Sequence, residues 1–106
     1  MTHRIAVVPG DGAGREVVPE AVKVLRASGA QLVFEEFEVG AERVLRGDPA
    51  MPESVFQELQ KADAILFGAI GDPRVSEPYA AGVLLRVRFE LDLYANVRPA
   101  KLYDER

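Results

Sequence analysis

Arg4-Ile-Ala-Val-Val8 is a run of β-branched and apolar residues that meets Pro9-Gly10 and breaks into the loop Gly10-Asp-Gly-Ala-Gly14. From Arg15 onward, apolar side chains recur at spacings of one, three and four, at Val17, Val18, Ala21, Val22, Val24 and Leu25. A buried strand that passes through a tight loop into an amphipathic helix must pack that helix back on a sheet, so the opening third already predicts layered α/β structure. Ser28-Gly29 ends the helix, where glycine accepts the left-handed cap conformation. Pro19 lies near enough to the start to be tolerated.

The same alternation continues. Gln31 to Val39 places Leu32, Phe34 and Phe37 against Glu35 and Glu36, which predicts a second strand with one wet side. Ala41 to Leu45 reads as a short helix before the turn Gly47-Asp-Pro49, and Met51 to Lys61 as a helix packed through Val55, Phe56 and Leu59. Ala64-Ile-Leu-Phe-Gly68 is wholly apolar and is expected to be an internal strand. A polar loop follows Gly71-Asp-Pro73 to about Tyr79, then a helix from about Gly82 to Glu90, then an extended piece through Tyr94-Ala-Asn-Val97 to Pro99. Strands alternating with helices give an α/β fold class.

With 106 residues the chain holds at most one domain, and it is small for an α/β fold that covers both faces of a sheet, so an incomplete unit is expected. No apolar run approaches the ~20 residues that span a bilayer, and the four-residue run before Pro9 is too short for a secretory signal. There is no cysteine, hence no disulfide, thiolate nucleophile or cysteine zinc site, and a cytoplasmic location is expected. His3, the single histidine, sits at the chain start and reads as solvated. A net charge of −4 and a pI near 5.0 argue against nucleic acid as a partner, because such binding draws on phosphate neutralisation by Lys and Arg.

Glycines at 10, 12 and 14 do not make a dinucleotide fingerprint: G-x-G-x-x-G requires its third glycine at position 15, which is Arg15. No Gly-Lys-Ser/Thr is present, so it is not a P-loop either. Two readings remain open, a helix N-terminus whose amides face a ligand and a tight turn with no further role; Asp11 can serve as a turn residue in either. A second candidate site lies near the end. In a helix over 82–90, Leu84, Leu85 and Arg88 are three and four apart and share one side, and Arg98 arrives from the extended segment. Two guanidinium forks from different elements suit the two carboxylates of a small dicarboxylic acid. On spacing alone the alternative stands beside it, in which Arg86 pairs with Glu90 and Arg88 with Asp92 on an exposed helix and the leucines are core.

Val8-Pro-Gly-Asp-Gly-Ala-Gly-Arg-Glu-Val17, Leu66-Phe-Gly-Ala-Ile-Gly-Asp-Pro73 and Leu84-Leu-Arg-Val-Arg88, with Leu93-Tyr-Ala-Asn-Val-Arg-Pro-Ala-Lys101, occur in an order and separation that resemble the β-decarboxylating dehydrogenases. That family includes enzymes acting on 3-isopropylmalate, isocitrate, homoisocitrate and tartrate. The resemblance implies a large mixed-sheet α/β fold unrelated to Rossmann, of which residues 1–106 form the amino-terminal part of the first domain. It implies that Arg88 and Arg98 bind the malate carboxylates, that Ala13 lies near the adenosine end of NAD, and that Gly71, Asp72 and Pro73 lie along its nicotinamide side. Leu84 and Leu85 occupy the face that reads the substrate's third substituent, where an apolar wall suits an isopropyl group and leaves a carboxylate without a partner. The resemblance further implies a Mg2+ or Mn2+ ion, an acid–base Tyr and Lys and a third arginine, all supplied beyond this chain, and a homodimer. No catalytic or metal-ligating residue is therefore expected here, and the 106 residues alone are expected to be inactive. Two positions depart from the pattern: Ala13 replaces a bulkier Ile, and Ala80 stands where many isopropylmalate enzymes have Glu, with Glu77 in another register. The alternatives are a tartrate, homoisocitrate or isocitrate member and a noncatalytic small-acid binding module.

Overall fold

The central strand is the first one. In the computed structural model, which describes residues 1–105, β1 (His3–Val8) runs between β2 (Leu32–Glu36) and β3 (Ala64–Phe67) in a three-stranded sheet ordered β2-β1-β3. Arg106, the last residue of the charged end, lies outside the described residues. Both pairings are parallel, with Ile5 opposite Phe34 on one side and Ala64 on the other. Parallel neighbours need crossovers, and these are the helices α1 (Ala13–Ala27), α2 (Ala41–Leu45) and α3 (Glu53–Lys61), followed by α4 (Tyr79–Glu90).

The two-residue period of β1 divides the core. Ile5 and Val7 face α1, where they pack with Val18, Val22, Leu32, Phe34 and Leu66. Ala6 and Val8 face the other way, into a larger cluster with Val39, Met51, Phe56 and Leu59 and with Val83 and Val87 of α4. Opposite crossover directions from the sheet centre put α1 on one face and α3 with α4 on the other. Val8 and Leu59 are essentially sealed, and burying such side chains stabilises by about 1.5–3 kcal/mol each.

Several expectations shift in detail. The second strand ends at Glu36 rather than Val39, although Phe37 still donates its N–H to the Val7 carbonyl; the chain then turns at Gly40, whose φ of 121° only glycine adopts comfortably. The last helix begins at Tyr79, so Gly82 is inside it; Ala80 and Ala81 favour helix strongly enough to carry the start back to Pro78. The third strand is not internal among the described residues. β1 is, and β3 forms an edge with Ala64 exposed and Ile65 to Phe67 half-buried, because a wholly apolar run records what a strand can tolerate on both sides, not what lies there. On α1, Val17 and Val24 face solvent, since the sheet beneath is only wide enough to cover the stripe through Val18. Residues 93–105 are in neither helix nor strand and are exposed. Among the described residues no helix is long and apolar enough to cross a membrane.

Candidate ligand-binding site

The loops leaving β1 and β3 lie side by side at the carboxyl end of the sheet. Asp11 donates its N–H to the Ala69 carbonyl at 2.7 Å, and Gly68 donates to Val8 at 2.6 Å. A Cβ on Gly14 would fall 2.1 Å from the Pro9 carbonyl oxygen and 2.8 Å from the Ala69 nitrogen, so α1 can begin against both loops only with glycine there. Gly14 thus does the helix-to-loop packing that the dinucleotide fingerprint assigns to a glycine one position later. Connections from β1 and β3 depart on opposite sides of the sheet, and in open α/β sheets the ligand crevice forms at such a point.

Asp11 is more than a turn residue. It is buried, 4% exposed, and both carboxylate oxygens are engaged by distant elements. Oδ1 accepts the Ala41 N–H at 2.8 Å, at the start of α2. Oδ2 accepts the Gly71 N–H at 2.9 Å and the Tyr79 hydroxyl at 2.5 Å. Burial, and then the bond to Asp11, hold the Tyr79 hydroxyl pKa well above its ordinary value. A Cβ on Gly40 would sit 2.5 Å from Asp11 Oδ1, so the carboxylate also dictates glycine at that turn. Local sequence shows only an Asp between two glycines; its partners are 30, 60 and 68 residues away, which is why it reads as a turn.

The four positions expected to meet the cofactor lie on these two loops. Ala13 is the exposed first residue of α1. Gly71 is exposed at φ 146° with nothing within 4 Å of a would-be Cβ, so it offers open backbone on which a flat ring could lie. Pro73 is exposed, and Asp72 is half-buried against Arg74, which donates from Nη2 at 2.7 Å, from Nε at 3.1 Å and from its backbone N–H at 2.9 Å. Arg74 also reaches Glu42 on α2 at 2.6 Å, and Glu42 meets Arg15 on α1 at 3.4 Å. This ion-pair chain clips the 71–74 loop to both helices.

Those side-chain bonds from Arg74, and then its backbone N–H, hold the Asp72 carboxyl below its ordinary pKa of 3.8. A carboxyl depressed in the folded state contributes stability that is present above its unfolded pKa and lost as pH falls through the folded one. Glu38 beside Arg46 and Glu58 beside Arg4 are lowered likewise, so all three act in the same direction. Melting temperature is therefore expected to fall as pH drops below 4.5, the ordinary Glu value, with a shallower fall in Asp72→Asn. Melts at several pH values with superimposable acid limbs for the two proteins would refute the role of Asp72.

The second half of the site is a cleft of about 900 Å³ between α4, the β3 edge and the segment after α4. Leu84, Arg88 and Arg98 all line it, together with Leu91, Leu93 and the β3 residues Ile65 and Phe67. Leu85 does not. At 100° per residue Leu84 and Leu85 flank Arg88 by about 40° and 60° on opposite sides, and the cleft lies on the Leu84 flank, leaving Leu85 46% exposed.

The structure separates the neighbouring arginines. Arg86 bonds Glu90 at 3.2 Å, pairs with Glu53 and lies over the Phe56 ring at 4.0 Å, so it braces α4 on α3. Arg88 makes no ion pair with Asp92, which has turned into the left-handed region at φ 54° past the helix end. Neither the Arg88 nor the Arg98 guanidinium has a hydrogen bond or ion pair among the described residues, although acidic residues outnumber basic ones by 17 to 13. Two guanidinium groups without a partner among the described residues thus line one largely apolar cleft. Among the described residues no group of three or more His, Cys, Asp or Glu is placed to hold a metal.

The chain is thus a parallel α/β unit with a glycine loop at its switch point and an arginine-lined cleft beside it. The sequence profile described as isocitrate/isopropylmalate dehydrogenase matches residues 4–106, and the chain belongs to that family. It is 47% identical over 106 residues to the 3-isopropylmalate dehydrogenase of Bifidobacterium longum strain DJO10A, covering 96% of this chain and 31% of the relative. With the enzyme of the same name from Mycolicibacterium vanbaalenii it shares 50% identity over 101 residues, covering 94% of this chain and 30% of the relative. The crystal structure of an apo β-decarboxylating dehydrogenase from Thermococcus kodakarensis superposes with a TM-score of 0.73 at 39% identity, over 87% of this chain and 27% of that one. The chain therefore spans under a third of the length of these relatives.

Proposed function

We propose that the full-length protein containing this chain is an NAD-dependent 3-isopropylmalate dehydrogenase of cytoplasmic leucine biosynthesis, and that residues 1–106 supply the amino-terminal part of its first domain. The observation that carries this reading is the shared cleft, in which Leu84 stands with Arg88 and Arg98, neither of which has a partner among the described residues. Arg88 and Arg98 each offer a planar fork to one carboxylate of the malate skeleton and so fix the reacting carbon, which is what hydride transfer requires. Leu84, Leu91 and Leu93 give the remaining arm an apolar wall. A carboxylate or hydroxyl there would give up hydration without a partner, a cost of several kcal/mol that favours isopropyl over the polar arms of isocitrate and homoisocitrate. The oxidised nicotinamide supplies the hydride acceptor, and the exposed backbone at Gly71 with Asp72 and Pro73 is the surface on which it would lie, Ala13 standing toward the adenosine end.

Oxidation and loss of CO2 from 3-isopropylmalate yield 2-oxoisocaproate. The groups that move the hydroxyl proton and hold Mg2+ or Mn2+ are assigned to parts of the protein outside this chain, as is most of a homodimer contact. Steady-state assays of the full-length protein with NAD are expected to give kcat/KM for 3-isopropylmalate at least ~100-fold above isocitrate, homoisocitrate and tartrate, the scale on which an apolar pocket separates such arms. The isolated chain is expected to form no NADH. A preference for any of the three competitors would defeat the substrate assignment.

A further inference from the structure

Asp11 Oδ2 is a single atom on which both halves of the site converge. It accepts the N–H of Gly71 in the loop assigned to the cofactor and the hydroxyl of Tyr79 at the first turn of the helix that carries Arg88. We infer that Asp11 and Tyr79 are a positioning pair that couples the Gly71 loop to helix α4, so that occupation of the cofactor side strengthens acid binding at Arg88 and the reverse. This rests on the functional reading above and names a regulation of the same site.

The geometry of α4 gives the pair its leverage. Pro78 precedes the helix and provides no side-chain cap, so the Tyr79 hydroxyl is the polar side-chain tether of that end. Val83 and Val87 in the core and the Arg86 brace on α3 hold the later turns of the helix, so its first turn is steered from Asp11. Arg88 stands nine residues from Tyr79, about 13 Å along a rigid rod, so a small displacement at the tether reappears at the guanidinium. The Gly71 N–H and the Tyr79 hydroxyl have no independent settings, because a ligand that shifts the loop moves the oxygen they share. The opposite oxygen is pinned by the Ala41 N–H at 2.8 Å, which turns that motion into rotation of the carboxylate toward or away from Tyr79.

The test uses the full-length protein and a pair that cannot react, NADH with 3-isopropylmalate and Mg2+. The dissociation constant of NADH is measured by nucleotide fluorescence with and without the acid, in the unchanged protein and in Tyr79→Phe. Phenylalanine keeps the ring packing and removes only the hydroxyl, so a cooperative melt is expected to persist. The acid is expected to tighten NADH about fivefold or more in the unchanged protein and less than about twofold in Tyr79→Phe, the lower value being near the floor of measurable coupling. Each ligand alone is expected to bind the variant within about threefold of the unchanged protein, because a direct contact is not lost and the coupling is reciprocal. A purely structural role would weaken both ligands and leave the ratio unmoved, which overturns the inference, as does a ratio of one in the unchanged protein. Failure of the unchanged protein to bind either ligand overturns the functional reading and the coupling with it.

Discussion

Arg88→Ala in the full-length protein is expected to lower kcat/KM for 3-isopropylmalate by about 10³-fold, with melting temperature nearly unchanged. A fork on a carboxylate makes two charge-assisted bonds at about 1.5–3 kcal/mol each, and their sum of roughly 3–6 kcal/mol corresponds to 10²- to 10⁴-fold. Stability is spared because the Arg88 guanidinium makes no ion pair or hydrogen bond among the described residues, and its helix is held instead by Val83, Val87 and Arg86. Arg88→Lys keeps the charge without the fork and is expected to fall between. The neighbour supplies the contrast: Arg86→Ala removes the contact over Phe56 and the pairs to Glu53 and Glu90, and should loosen α4 more than it changes recognition. Initial-rate kinetics at saturating NAD decide the matter. A loss below tenfold in Arg88→Ala would remove the arginine from the site.

Where local chemistry decides, the sequence was readable. The strand–glycine loop–helix opening, the Phe56 and Leu59 face of α3 and the short α2 all form where their residue patterns place them, because each depends on neighbours within a few positions. The cleft residues Leu84 and Arg88 follow from helical period, but the same period could not say which flank of Arg88 the cleft occupies, and Leu85 faces away for that reason. Periodicity identifies a stripe; only the packed neighbours choose between its edges. The place of β3 at an edge among the described residues was not legible on the same ground. An apolar run is compatible with one covered side or two, and pairing order is a property of the crossovers. That Arg86 rather than Arg88 takes the ion pairs was likewise undecidable from two i,i+4 options of equal standing, and was settled by the reach to Glu53 and Phe56 on another helix and the left-handed turn at Asp92.

Asp11 is the strongest instance, and its replacement should have the largest effect on stability. Asp11→Ala strands three donors, the N–H groups of buried Ala41 and of Gly71 and the hydroxyl of half-buried Tyr79. An orphaned donor costs about 1–3 kcal/mol, and water entering the methyl-sized gap recovers part, so a net loss of about 3–5 kcal/mol is expected. For a domain whose whole stability is of order 5–15 kcal/mol, that is a loss of roughly a fifth or more. Asp11→Asn should cost roughly half, on the order of 2 kcal/mol, for a geometric reason. The amide oxygen still accepts from Ala41, and the Tyr79 hydroxyl can rotate to accept from the new NH2, but the Gly71 N–H is left facing a donor. Urea unfolding of the three proteins, with slopes checked for equality, tests the order. Equal midpoints for the aspartate and alanine forms would mean that the three elements meet at Asp11 without depending on it, and the loop, the α2 turn and α4 would then be held by their apolar contacts and by the ion pairs of Arg74 and Arg86.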